Sequence, residues 1–241
     1  MRLTTAGLVT TAIVIALGVV MIAPIFARTA YRAEPLKVAL IFSVRSENST
    51  SWCEEVGSFL DSKDIHTTVF FTGRAAEQAP GIVSVFREGV DVGCMSYDYL
   101  NITSISDYTQ QLEQIARGKL KVDNAGGLTS RVFMAPYGSV NEDIYSQLDR
   151  VGVIADFSYN DHYNKVFEGQ FIRMELRIFD YSTHAPGYYL SFSDKREPVA
   201  IRISDSTPSG KVIDFITQLA SGNVRFINVS ELTGLQLTSR G

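Results

Sequence analysis

The sequence predicts an α/β fold built mainly from parallel strands. Three observations carry this reading. Short apolar runs of strand length alternate with stretches whose apolar residues recur at helical spacing. Capping patterns and glycines punctuate the boundaries between them. The 241 residues, 45% apolar and 20% charged, suit one globular domain plus an extra segment.

Each element follows in order. Lys37–Phe42 (KVALIF) is an unbroken apolar run, the signal of a buried strand. Ser51-Trp-Cys-Glu54 has capping-box spacing, so a helix should run behind it to about Ser62. Thr67–Thr72 is a second strand, closed by Gly73. Pro80–Glu88 reads as a short helix ended by Gly89, and Asp91–Cys94 as a third strand. Tyr108, Leu112, Ile115 and Lys119 share one face of a helix from about Ser106 to Val122, before a Gly126-Gly127 loop. Arg131–Met134 is strand-like. Ser139-x-x-Glu142 is another capping box, with Ile144, Leu148 and Val151 lining its helix. Val153–Ser158 and Val199–Ile203 are further strands. Pro208 at a first helical position opens a helix lined by Val212, Phe215, Ile216 and Leu219. Arg225–Ile227 is the last strand, and residues 165–198 read as an insertion. Ligands of such folds sit at the C-terminal ends of the strands.

The N-terminus is of another kind. The uncharged stretch between Arg2 and Arg28 would span about 37 Å as a helix, enough for a bilayer core. The layout is therefore a flank over 1–5, a transmembrane anchor over 6–27, a linker over 28–35 and a body over 36–241. A cleaved signal peptide is the alternative, although Pro24–Ala30 offers a poor cleavage site. Arg28, Arg32 and Lys37 after the span favour an inside body. The sequons at Asn48, Asn101 and Asn228 favour an outside one.

The net charge is −4, and the first 33 residues hold arginines but no acid, so the body is more acidic still. That argues against a nucleic-acid partner, which needs a basic patch. Two cysteines exclude a disulfide scaffold and a Cys-rich zinc module but allow one bridge. No G-x-S-x-G, P-loop or G-x-G-x-x-G motif is present.

Motifs at the strand ends then carry a resemblance. Leu40-Ile-Phe-Ser-Val-Arg45 stands where a family pattern has T-F-D-D-G. Thr68-Val-Phe-Phe-Thr-Gly73 matches A-T-F-F-x-T-G. Gly93-Cys-Met-Ser-Tyr-Asp-Tyr-Leu-Asn-Ile-Thr103 stands for G-N-H-T-x-x-H-P-N-L-T. Met134-Ala-Pro-Tyr-Gly138 stands for R-P-P-Y-G, and Arg202-Ile-Ser-Asp205 for L-L-H-D. From about residue 36 to 232 the chain resembles the NodB-type polysaccharide deacetylases, family four of the carbohydrate esterases. The resemblance implies a distorted (β/α) barrel.

It also implies roles by position. The family's general base falls on Ser43 and its metal-binding Asp on Val44. The two metal histidines fall on Met95 and Tyr99, the base-orienting Arg on Met134 and the acid His on Ser204. Val44 has no donor atom, and Met95 is a soft thioether unsuited to zinc. Tyr99 is a poor ligand unless ionised, and Ser43 is no base without a partner. No metal site and no cofactor are expected from this set. Binding candidates along the groove are Arg45, Trp52, Tyr97, Tyr137, Asp161 and His162. Cys53 and Cys94 should both lie near the groove and are candidates for a disulfide. Three functions follow as expectations. The first is a membrane-anchored, extracytoplasmic pseudoenzyme that binds an envelope glycan or protein. The second is an active deacetylase using relocated residues such as Glu47, Asp98, Asp161, His162 and Asp205. The third is a structural envelope subunit.

Overall fold

The computed structural model describes residues 34–158, 164–167, 171–174, 177–192 and 198–240. The chain divides into Met1–Glu34 and Pro35–Gly241, and the second unit is the body. The expected span over 6–27 lies outside the described residues. Among the described residues no helix is long and apolar enough to cross a membrane.

The body is a curled, mostly parallel sheet covered by helices. Its central strand is β1 (Leu36–Val44), buried at every position except Lys37. Such burial explains the unbroken apolar run, since both faces are covered. One edge of β1 pairs in parallel with β10 (Val199–Ser204). Its other edge takes β11 (Val224–Ile227) along the first half and β2 (Thr67–Phe71) along the second. Beyond β2 come β3 (Val90–Cys94), β5 (Val132–Phe133) and β6 (Ala155–Asp156), all parallel. The sheet continues antiparallel into β7 (Asn164–Phe167) and β8 (Phe171–Met174). On the far side β9 (Arg177–Asp180) joins β10 in parallel. β4 (Leu128–Ser130) and β12 (Thr238–Arg240) form a separate antiparallel pair.

The helices are α1 (Thr50–Ser62), α2 (Gly73–Gln78), α3 (Gly81–Ser84), α4 (Tyr108–Gly126), α5 (Glu142–Arg150), α6 (Pro186–Leu190), α7 (Ser209–Ala220) and α8 (Val229–Thr233). Strand alternation splits the apolar residues into two cores. Val38, Leu40, Phe42 and Val44 pack with the helix layer. Ala39 and Ile41 face inward with Phe70, Met95, Val132, Met134, Phe157 and Ala200. Gly93 leaves room for the Phe70 ring in this inner core, because a Cβ there would come within 2.3 Å of it.

Several boundaries differ from the sequence reading. Gly73 opens α2 rather than closing a segment, because the Thr72 hydroxyl accepts from Ala75 N at 3.3 Å and caps the helix. Asn141, not Ser139, caps α5, with Oδ1 accepting from Ile144 N at 3.0 Å. Pro208 is itself the N-cap residue of α7. The stretch read as an insertion supplies β9, a short edge strand whose Arg177 and Asp180 hide its pattern. α8 carries a capping box on Asn228 and Glu231 that the sequence reading missed.

Candidate functional site

Parallel strand order brings the C-terminal strand ends to one side. Ser43 lies in register with Ser204, and Val44 with Phe71. Backbone bonds continue the registry past the strands. Met95 N donates to Phe71 O at 2.7 Å, Met134 N to Cys94 O at 3.1 Å and Asp205 N to Ser43 O at 3.0 Å. The positions singled out along the sequence are thus neighbours in space.

A charged pair organises this end of the sheet. The Asp205 carboxylate, 4% exposed, accepts from Arg45 N at 2.8 Å, Ser46 N at 3.2 Å and the Ser49 hydroxyl at 2.8 Å on one oxygen. Its other oxygen accepts from Arg45 Nε at 3.1 Å and the Ser204 hydroxyl at 3.2 Å. Both residues carried sequence-level interest, but their pairing across 160 positions was not legible there. The Arg45 guanidinium carbon lies 5.0 Å from the Tyr99 ring centre. Burial opposes its charge, yet Asp205 and Tyr99 hold the Arg45 pKa above its ordinary value.

Tyr99 in turn meets Tyr137, with ring centres 5.0 Å apart. Tyr137 adopts a left-handed backbone (φ 59°), uncommon for a residue with a side chain, and is 60% exposed. The turn is held from β6. Ala135 N donates to the Ser158 hydroxyl at 2.7 Å, and buried Asp156 accepts from Ser158 N at 2.9 Å. Asp156 was missed in the sequence; a lone acid inside an apolar strand was the available signal.

A family model for polysaccharide deacetylases matches residues 32–155, just over half of the chain. The chain belongs to the polysaccharide deacetylase family. No protein of curated function matches it. Solved structures of carbohydrate esterase family four share the fold at low identity. A pseudoenzyme of that family from Bacillus anthracis aligns with TM-score 0.61 at 16% identity, over 83% of this chain and 66% of that one. The chain thus spans just under two thirds of that protein. The peptidoglycan deacetylase PdaC from Bacillus subtilis aligns with TM-score 0.61 at 18% identity, over 84% and 92%. A putative polysaccharide deacetylase from Mycobacterium smegmatis gives 0.64 at 13%, over 88% and 95%.

The family's zinc does not fit these residues. Met95 is fully buried and packs with Phe70 and Met134 in the inner core. Val44, also fully buried, turns toward the helix layer. Tyr99 is engaged with Arg45 and Tyr137. Ser43 and Met134, where the resemblance would put the base and its orienter, are 5% and 4% exposed and so closed over. Among the described residues no three His, Cys, Asp or Glu side chains are grouped to hold a metal ion.

The remaining candidates separate. Arg45 and Tyr137 come together at the strand ends, each against the Tyr99 ring. Trp52 does not join them: it is 7% exposed, donates Nε1–H to Thr207 O at 2.8 Å and packs edge-on against Phe42. It ties α1 to the loop before α7, as a long amphipathic side chain in a core does. Tyr97 is also structural. Its hydroxyl donates to Glu77 Oε2 at 2.6 Å, and Arg117 stacks 3.6 Å from its ring centre. Asp161 and His162 lie outside the described residues. Asp98, named for the relocated mechanism, pairs with Arg74 and accepts from Gln114 Nε2 at 3.1 Å. Glu47 opens the 3-10 turn before α1.

The candidate disulfide is not formed. Cys53 and Cys94 are free and buried, and burial pushes both thiols up to about 12. The Cys94 Sγ is directed at Val132 O of β5, the neighbour of β3 on the side away from β2. Asn228 is also corrected as a glycosylation candidate. It is 8% exposed, and its amide is spent donating to Gly89 O at 3.1 Å while it caps α8. Asn101 is half-buried and accepts from Thr103 N at 3.1 Å, while Asn48 is exposed.

Proposed function

We propose that this chain is a catalytically silent polysaccharide deacetylase homologue, held at the outer surface of a membrane by its N-terminal segment, whose groove binds an envelope glycan. The observation that carries the reading is the replacement of all six principal catalytic positions. Ser43, Val44, Met95, Tyr99, Met134 and Ser204 supply no carboxylate, imidazole or guanidinium between them. A deacetylase of this family needs a base, an acid and an activated water. Among and beside these positions Arg45, Tyr99 and Tyr137 lie together, a guanidinium and two rings suited to a sugar. The apolar stretch over 6–27 supports anchoring, and the sequon at exposed Asn48 supports an extracytoplasmic body.

The test uses the full chain in detergent micelles. Acetate release from chitin oligomers and acetylated xylan is followed with and without added zinc, beside a glycan array. The expected outcome is no acetate above background and retention on a defined glycan class. Chelator-sensitive acetate release overturns the silent-enzyme reading. Protease protection of the body in intact cells overturns the topology. Specific capture of a protein with no glycan bound overturns the glycan assignment.

A further inference from the structure

Resting on the glycan-groove reading, we propose that the glycan is anionic and that Arg45 is the residue that holds its charge. A family site places two carboxylates at the end of β1. Here Ser43 and Val44 remove both. The acid retained among the groove residues described above is Asp205, and Arg45 has been added beside it.

These two charges are not equally available. Asp205 is 4% exposed, and both its oxygens are committed to the five donors named above, two of them backbone amides. It fixes the loop after β1 and presents almost nothing to solvent. The Arg45 side chain is 31% exposed. Its Nε is bound to Asp205 and its guanidinium carbon lies 5.0 Å from the Tyr99 ring centre, so the Asp205 bond does not use the two outer nitrogens of the fork. A guanidinium anchored through Nε keeps its outer edge for a bidentate anion, the geometry it forms best.

The neighbours suit a sugar acid. Tyr99 lies against the guanidinium and Tyr137 against Tyr99, with Tyr137 the most exposed of the three. Arg45 and Tyr137 each lie 5.0 Å from the Tyr99 ring, so an oligosaccharide crossing the three would meet aromatic faces and a cation together. The fork fits a carboxylate or a phosphate, and the shared chemistry is an anion on a saccharide.

The experiment measures binding to the full chain in detergent micelles by calorimetry. The probes are a galacturonate hexamer, a hexasaccharide of phosphate-linked hexoses and neutral chitohexaose. One anionic probe should bind at least about tenfold more tightly than chitohexaose. The preference should shrink from about 50 to about 500 mM NaCl, since partly exposed charges are screened. Arg45→Met retains the backbone N–H to Asp205 and should abolish the preference. Tyr137→Ala, remote from Asp205, should weaken all probes alike. Which anionic probe wins identifies the carboxylate or the phosphate. Equal affinity for neutral and anionic probes overturns the inference while leaving the glycan groove standing. Binding of none of the three removes both. A folded Arg45→Met protein that keeps the preference also overturns it. If that variant fails to fold, a parent preference unchanged by salt does the same.

Discussion

Removing the Asp205 carboxylate should be among the costliest single changes to this body. Asp205→Ala strands two backbone N–H groups, the Ser49 and Ser204 hydroxyls and the Arg45 guanidinium. Breaking a buried ion pair from one side costs about 3–5 kcal/mol. Each buried donor left unsatisfied costs about 1–3 kcal/mol. The terms overlap, and Arg45, at 31% exposed, recovers water on its open side. The lower end applies, about 3–4 kcal/mol. For a chain of this size that is roughly a 6–16 °C drop in Tm. Asp205→Asn keeps one acceptor oxygen and should lose about half as much. Trp52, the chain's only tryptophan, is bonded to Thr207, two residues beyond Asp205, so its fluorescence reports on this loop. Urea unfolding of parent, Asp205→Ala, Arg45→Met and the double variant forms a cycle. The two losses should be non-additive by about 1–2 kcal/mol, because the groups touch. An Asp205→Ala loss below about 1 kcal/mol, or strict additivity, would refute Asp205 as the organiser of the loop.

Three further outcomes are expected. Val44→Asp, the first step of any attempt to rebuild the metal site, should cost about 3 kcal/mol or more, because the new carboxylate enters the apolar helix layer; a parent-like urea midpoint would contradict that placement. Cys53 and Cys94, their thiols pushed up to about 12, should resist Ellman's reagent at pH 8 until the protein is unfolded; rapid labelling of the native protein would contradict their burial. Glu77 is held at about 2 by Lys121, Tyr97 and Arg117. Its folded pKa lies below its ordinary value of 4.5, so its stabilising effect is present above 4.5 and lost as pH falls toward 2. Carboxyl NMR should show Tyr97→Phe raising that midpoint, and an unmoved midpoint would discount the hydroxyl bond.

Periodicity and strand-end motifs were enough to place the parallel strands around β1 and to gather Ser43, Met95, Met134 and Ser204 on one side. Those features are local or ordered along the chain, and parallel registry does the rest. That Val44 brings no donor atom was legible for the same reason: a valine has none in any fold. The sequence did not determine which face each side chain meets. Trp52 and Tyr97 carry the aromatic signature of a sugar platform, yet one ties a helix to a loop and the other bridges Glu77 and Arg117. Cys53 and Cys94 belong to elements near the same strand ends, yet Cys94 turns toward β5. Edge strand β9 and the caps on Thr72 and Asn141 were hidden by short, polar sequences. The Arg45–Asp205 pair joins residues 160 positions apart, and only the β1–β10 registry brings them together. Such contacts depend on strand order and on which way a side chain leaves the sheet, and tertiary packing sets both.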